Sequence, residues 1–125
     1  METSEDNVLI QKKELINQLA IPTMEGYIFI PMNAVYYLKA AGNYTYIIYV
    51  IDGSMKKMTA SKKIGYFEEA LKDSPFLRIH DSYIANLTKA IKYFKGKDGS
   101  IQLVNGEYLP VSRTRKDKLF SVFGI

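Results

Sequence analysis

The spacing of hydrophobic and polar positions changes along this chain, and each change marks an element. Val8, Leu15 and Leu19 form one apolar stripe, with Leu9 and Ile16 beside it. That spacing predicts a helix capped by Ser4 or Asp6 and running to about Ala20, where Ile21-Pro22 ends it. From Tyr27 the period shortens to that of strands. Residues 27–31 and 35–39 read as short strands around a Pro-Met-Asn-Ala connection. Residues 44–51 (Tyr-Thr-Tyr-Ile-Ile-Tyr-Val-Ile) are β-branched or aromatic throughout. Both faces of that strand are apolar, so it belongs centrally with cover on each side. Asp52-Gly53 signals a hairpin, and residues 55–60 supply the returning strand. Ser61 is placed to cap a helix to about Lys72, with Ile64, Phe67, Glu68 and Leu71 at helical spacing, and Asp73-Ser74-Pro75 stops it.

Residues 76–87 (Phe-Leu-Arg-Ile-His-Asp-Ser-Tyr-Ile-Ala-Asn-Leu) resist this reading. Apolar residues frame the segment, yet Arg78, His80, Asp81, Ser82 and Asn86 interrupt it without strand alternation. Such a pattern suits a polar cluster held at the mouth of a β-structure. Residues 90–94 and 100–104 then read as strands around the exposed turn 95–99. Asn105-Gly106 is a two-residue hairpin signal leading into a strand over 107–111. Ser112 is placed to cap a last helix with Leu119, Phe120 and Phe123 as its apolar positions. The sum is a mostly β domain, many short strands with small helical pieces. Its division is a linker helix over residues 1–20, docked on the domain or forming a dimer seam, and the domain itself over 21–125.

Composition narrows the classes. The chain has 125 residues, enough for one ordinary domain, and 47% of them are apolar, which allows a real core. There is no cysteine, so disulfides, thiolate metal sites and cysteine nucleophiles are excluded. No apolar run reaches the length of a membrane span and no secretory segment follows the start, so a cytoplasmic protein without a membrane partner is expected. Charge is lopsided: residues 1–55 hold three basic and six acidic residues, whereas residues 56–125 hold fourteen and seven. A basic half suits a polyanion, although a solvated lysine surface would look the same.

Catalysis finds little support. His80 is the only histidine, so no metal cluster can be assembled from imidazoles, and no metal or other cofactor is expected. Ser82 or Ser112 with His80 and Asp81 make a relay only on paper, because neighbours in a strand point to opposite faces. The 95–99 turn lacks the spacing and the following helix of a phosphate-cradling loop.

Three segments, in order, carry a resemblance. Ala40-Ala41-Gly42-Asn43-Tyr44, the Phe76–Asn86 run and Pro110-Val111-Ser112-Arg113 resemble the A-x-G-N-Y, F-x-R-x-H-x-S-Y-x-x-N and P-V-S-R elements of the LytTR family of bacterial DNA-binding domains. The likeness extends over about residues 21–125. It implies an elongated arrangement of small antiparallel sheets with short helices, whose loops enter the major groove of double-stranded DNA. It further implies the output domain of a two-component response regulator, with a receiver domain as partner if the chain is a fragment. Two copies would then lie side by side on direct repeats in promoters. The rival reading is a protein-interaction module of the same fold that does not bind DNA.

The resemblance also ranks the candidate residues. Asn43, Thr45, Asp81 and Arg113 are candidates to face bases, while Tyr44 is expected to turn inward as core. Arg113, at a helix start, suits a bidentate contact to guanine, or else pairs with Asp117. The family most often has Arg, Lys or Asn where Asp81 stands here. This carboxylate either accepts from cytosine N4, pairs with Arg113 or Arg78, or weakens binding. Lys62, Lys63, Lys89, Lys95, Arg115 and Lys116 are phosphate candidates. His80, Ser82 and Asn86 are expected to shape the loop by satisfying backbone groups.

Overall fold

The strand with two apolar faces organises the molecule. In the computed structural model, which describes residues 16–125, it is β4 (Tyr44–Ile51), and β3 (Val35–Ala41) and β5 (Ser54–Ala60) flank it. With β6 (Phe76–His80) and β7 (Tyr83–Asn86) they form a five-stranded antiparallel sheet in the order β5-β4-β3-β7-β6. Register then sorts the side chains. Leu38 of β3 lies opposite Ile47 on one side and Ile84 on the other, and all three are buried in one core. Tyr37 lies opposite Ile48 and Ala85, and these three belong to a second core on the reverse face. A bulge between Val35 and Tyr37 lets Val35 join Leu38 in the first core.

Each face has its own cover. The first is closed by the hairpin of β1 (Gln18–Thr23) and β2 (Gly26–Pro31) and by the helix α1 (Ile64–Ala70), which contribute Leu19, Ile21, Ile30, Ile64 and Phe67. The second is closed by a three-stranded sheet of β8 (Ala90–Phe94), β9 (Ser100–Leu103) and β10 (Tyr108–Pro110), together with helix α2 (Lys116–Val122). Ile101, Leu103, Leu109 and Leu119 fill that side. Short 3-10 turns at Met32–Ala34, Leu87–Lys89 and Arg113–Arg115 complete the path. No helix among the described residues is long and apolar enough to cross a membrane.

The turns follow their chemistry with one adjustment. Asp52 and Gly53 both take positive φ, +52° and +76°, as a type I′ hairpin requires. At Asn105-Gly106 only Gly106 does so, with Leu103 N donating to Glu107 O at 2.9 Å. The loop therefore has a third residue, Val104, and Gly106 occupies its left-handed position.

Four other expectations need correction. Gln18, Leu19 and Ala20 are strand, not the end of a helix. Leu19 and Ile21 alternate toward the core opposite Ile30 and Ile28, so partner strand β2 overrides the helical spacing. The rest of the expected linker helix, residues 1–15, lies outside the described residues. Ser61 does not cap α1: its backbone N–H goes to Pro22 O at 2.9 Å, and the helix opens at Ile64 with Lys63 in the cap position. Ser112 precedes the 3-10 turn without a side-chain cap bond. Phe123 is half exposed, leaving Leu119 as the buried anchor of α2.

A polar bond also ties the five-stranded sheet to its second cover. Tyr37, buried in the second core, donates its hydroxyl to Glu107 Oε2 at 3.0 Å. Burial and the carboxylate hold its phenol protonated well above the usual range. In the first core Phe67 is fully buried between helix and sheet. Phe67→Ala should cost roughly 3–5 kcal/mol of unfolding free energy through the cavity it leaves. Urea denaturation would show this as a lower midpoint with an unchanged slope.

Candidate nucleic-acid interface

Sheet register brings four segments to one end of the molecule. Ala41 pairs with Tyr44 across the Gly42-Asn43 turn, and Lys39 pairs with Tyr83 at the start of β7. The 42–43 and 81–82 turns therefore share an end, where Ala40 N donates to Ser82 O at 2.8 Å. Thr45 lies opposite Ala60, so residues 61–63 leave β5 at the same end. Ser112 N donates to Ile79 O at 2.9 Å and lays the Arg113–Arg115 turn beside β6. Asn43 is exposed there, on a turn made by Gly42 at φ +64°.

The 81–82 turn is wired from both flanks. His80 Nδ1 accepts from Ser82 N at 3.0 Å, so the imidazole substitutes for a backbone acceptor inside the turn. Arg78 donates from Nε to His80 O at 3.3 Å and from Nη2 to Asp81 O. A bulge between Arg78 and His80 is what lets one side chain reach both carbonyls. Ser82 contributes through its backbone N–H and C=O. Asn86 acts at the opposite end of β7. Its Oδ1 accepts from Thr88 N at 3.1 Å, while its Nδ2 donates to Val35 O at 2.8 Å and Met32 O at 3.4 Å.

Thr45 and Tyr44 exchange their expected places. Thr45 is fully buried and donates Oγ1 to Lys62 O at 2.7 Å, whereas Tyr44 is half exposed. Alternation along β4 decides this, since turning Ile47 into the first core turns Thr45 inward as well. Thr45 is therefore no base-facing residue: it anchors the segment that carries Lys62 and Lys63. Lys89 is the other candidate set apart. It follows Asn86 at the far end of β7, with Nζ 5.1 Å from the Tyr36 ring centroid.

The remaining cations gather at the loop end. Lys62 and Lys63 are exposed at the mouth of α1, and Lys116 opens α2. Lys95 begins an exposed turn whose Gly99 O accepts from Val111 N at 3.1 Å, just before Arg113. Gly99 needs its φ of +82°, and a Cβ there would run into the Tyr93 hydroxyl. Arg113 is exposed, and among the described residues no carboxylate lies within ion-pair distance of it. The pairing with Asp117 is thus not formed. Asp81, its side chain 87% exposed, meets Arg115 Nη2 at 3.6 Å, not Arg113, and offers Arg78 only its backbone oxygen.

Sequence reasoning passed over Glu68. Its carboxylate sits 2.8 Å from Arg78 Nη1 and 3.5 Å from Arg115 Nη1, and so touches the wiring of two loops. The available signal was a carboxylate within the apolar helical spacing Ile64, Phe67, Glu68, Leu71. The end surface still carries more positive than negative charge, with Arg78 and Arg115 partly neutralised and Arg113, Lys62, Lys63 and Lys116 outside any ion pair among the described residues.

Comparison with known proteins adds two findings. A family model described as the LytTr DNA-binding domain matches residues 25–124. Among solved structures, one described as the LytTr DNA-binding domain of a methyl-accepting/DNA response regulator from Bacillus cereus aligns with a TM-score of 0.68 at 24% identity, over 87% of this chain and 98% of that one. At that identity the likeness speaks to the fold. No curated protein matches the chain.

Thr45→Val keeps the shape of the buried side chain but orphans the Lys62 carbonyl. It should cost about 1–3 kcal/mol in thermal or urea unfolding.

Proposed function

The chain belongs to the LytTR family of DNA-binding domains, and from that premise we propose that it reads promoter DNA through the loops at one end of its five-stranded sheet. One observation carries the reading. The Gly42-Asn43 turn, the Asp81-Ser82 turn and exposed Arg113 lie on three separate loops that converge on one basic end surface. In this reading Asn43, Asp81 and Arg113 face base edges in the major groove. Lys62, Lys63, Lys95, Arg115 and Lys116 meet phosphates. Arg113 is best placed for a bidentate contact to guanine O6 and N7, because no carboxylate among the described residues competes for its guanidinium. Asp81 presents an acceptor suited to cytosine N4 and tempers affinity by repelling phosphates.

The physiological setting is the output half of a two-component response regulator, working in the cytoplasm on direct repeats. Residues ahead of β1 would serve as the linker to a receiver domain. Two copies on adjacent repeats would gain avidity when a phosphorylated receiver brings them together. No reaction chemistry is assigned to the surface, whose chemistry is that of binding.

The test is fluorescence anisotropy with a duplex carrying two spaced repeats chosen by in-vitro selection, over a series of salt concentrations. Arg113→Ala should lose about five- to a hundredfold in affinity for that duplex, the range a bidentate base contact spans, and relax selection at one base pair. Lys116→Ala should weaken all duplexes alike and lower the salt slope by about 0.9. If selection enriches no sequence and the chain fails to bind at low salt, the DNA reading falls and a protein partner becomes the better one.

A further inference from the structure

We propose that Glu68 is a positioning residue for base readout: by bridging Arg78 and Arg115 it sets the spacing between the Asp81 turn and the Arg113 turn. The proposal rests on the DNA-binding reading and names a residue that the family motifs quoted above do not contain.

The geometry is a continuous chain of polar contacts. Arg78 holds the 80–82 turn by its two backbone carbonyls and spends its remaining nitrogen, Nη1, on Glu68 Oε1 at 2.8 Å. The other carboxylate oxygen, Oε2, faces Arg115 Nη1 at 3.5 Å, and Arg115 Nη2 turns to Asp81 Oδ1 at 3.6 Å. Glu68 thus stands on α1 with one oxygen for each loop. Arg78 retains only 16% of its side-chain exposure and Glu68 44%, so this contact is less screened than an ordinary surface pair, whereas Asp81 at the far end of the chain is 87% exposed.

A carboxylate suits this place for a specific reason. Two guanidinium groups held this close repel, and an anion between them turns that repulsion into a clamp. Glutamine has the same shape but only one acceptor oxygen, so its amide N–H would confront one of the two arginines. Base readout depends on placing both turns at once, since Asp81 and Arg113 must meet edges of the same short site. Releasing the clamp should blur discrimination while leaving in place Lys62, Lys63, Lys95 and Lys116, the phosphate-meeting cations that take no part in it.

The test compares Glu68→Gln with Glu69→Gln. Glu69 is the next residue on α1, has the same charge, and pairs at 2.7 Å with Lys72 on the exposed side of the helix. Binding is read on the selected duplex and on a scrambled one. Glu68→Gln should reduce the preference for the selected duplex by roughly tenfold, the weight of one hydrogen bond to a charged group, with affinity for the scrambled duplex unchanged or raised. Glu69→Gln should keep the wild-type preference. Hydrogen exchange without DNA gives an independent reading: the amides of Ser82, Ser112 and Arg115 should exchange faster in Glu68→Gln alone.

A preference equal to wild type, or a parallel fall on both duplexes that follows a lowered melting temperature, would overturn the proposal. So would unchanged exchange. A wild-type chain that selects no duplex would instead remove the DNA reading on which the proposal stands, and the two failures are therefore told apart.

Discussion

A sheet with two apolar faces has to be covered twice, and nearly everything else in this molecule follows from that demand. Along β3, β4 and β7 successive residues bury in opposite directions, Leu38, Ile47 and Ile84 one way and Tyr37, Ile48 and Ala85 the other. Leaving either set in water would forfeit apolar burial worth about 25 cal/mol per Å². The chain meets the demand with elements from before, within and after the run of sheet strands. The β1-β2 hairpin and α1 lie on one face, while the β8–β10 sheet and α2 lie on the other. Because two covers converge on one sheet, loops distant in sequence reach a common rim.

That rim is where polar chemistry concentrates, and its order is unusual for a surface. Isolated surface ion pairs contribute little, since side-chain entropy and screening offset their attraction. Here the arginines are anchored first by backbone carbonyls or partial burial, so less freedom remains to be lost when a carboxylate joins them. Arg113 stands apart from this network and keeps its full charge toward solvent. One end surface therefore holds both bound and free cations. The bound ones hold the loops in shape, and the free ones leave positive charge exposed.

The strands were legible where side-chain type and turn chemistry agreed. β4 matches its β-branched and aromatic run, residues 44–51, end to end, and Asp52-Gly53 supplies both positive φ angles of its turn. Legibility failed where a distant partner decided the outcome. Leu19 fits a helical stripe and a strand equally well until β2 lies beside it. Tyr44 and Thr45 differ by one residue, and a shift of one residue exchanges the faces of a strand. Three motifs in order pointed to loops that the fold does bring to one end, with Thr45 buried beneath that end and Asn86 and Lys89 at the other end of β7. Nothing in the local pattern around Glu68 could indicate that Arg78 and Arg115 would meet it, because that meeting depends on how α1 and the Arg113–Arg115 turn close around β6.

The hydrogen bond from Ser112 N to Ile79 O also has a bearing on solubility. β6 is an outer strand of the five-stranded sheet, and an outer strand with vacant carbonyls invites another chain to extend the ladder. The segment leading into Arg113 takes one of those carbonyls, while Lys56 and Lys57 place charge on the opposite outer strand, β5. Both outer strands of the sheet thus carry a feature that disfavours the addition of another chain, a captured carbonyl on β6 and a pair of positive charges on β5.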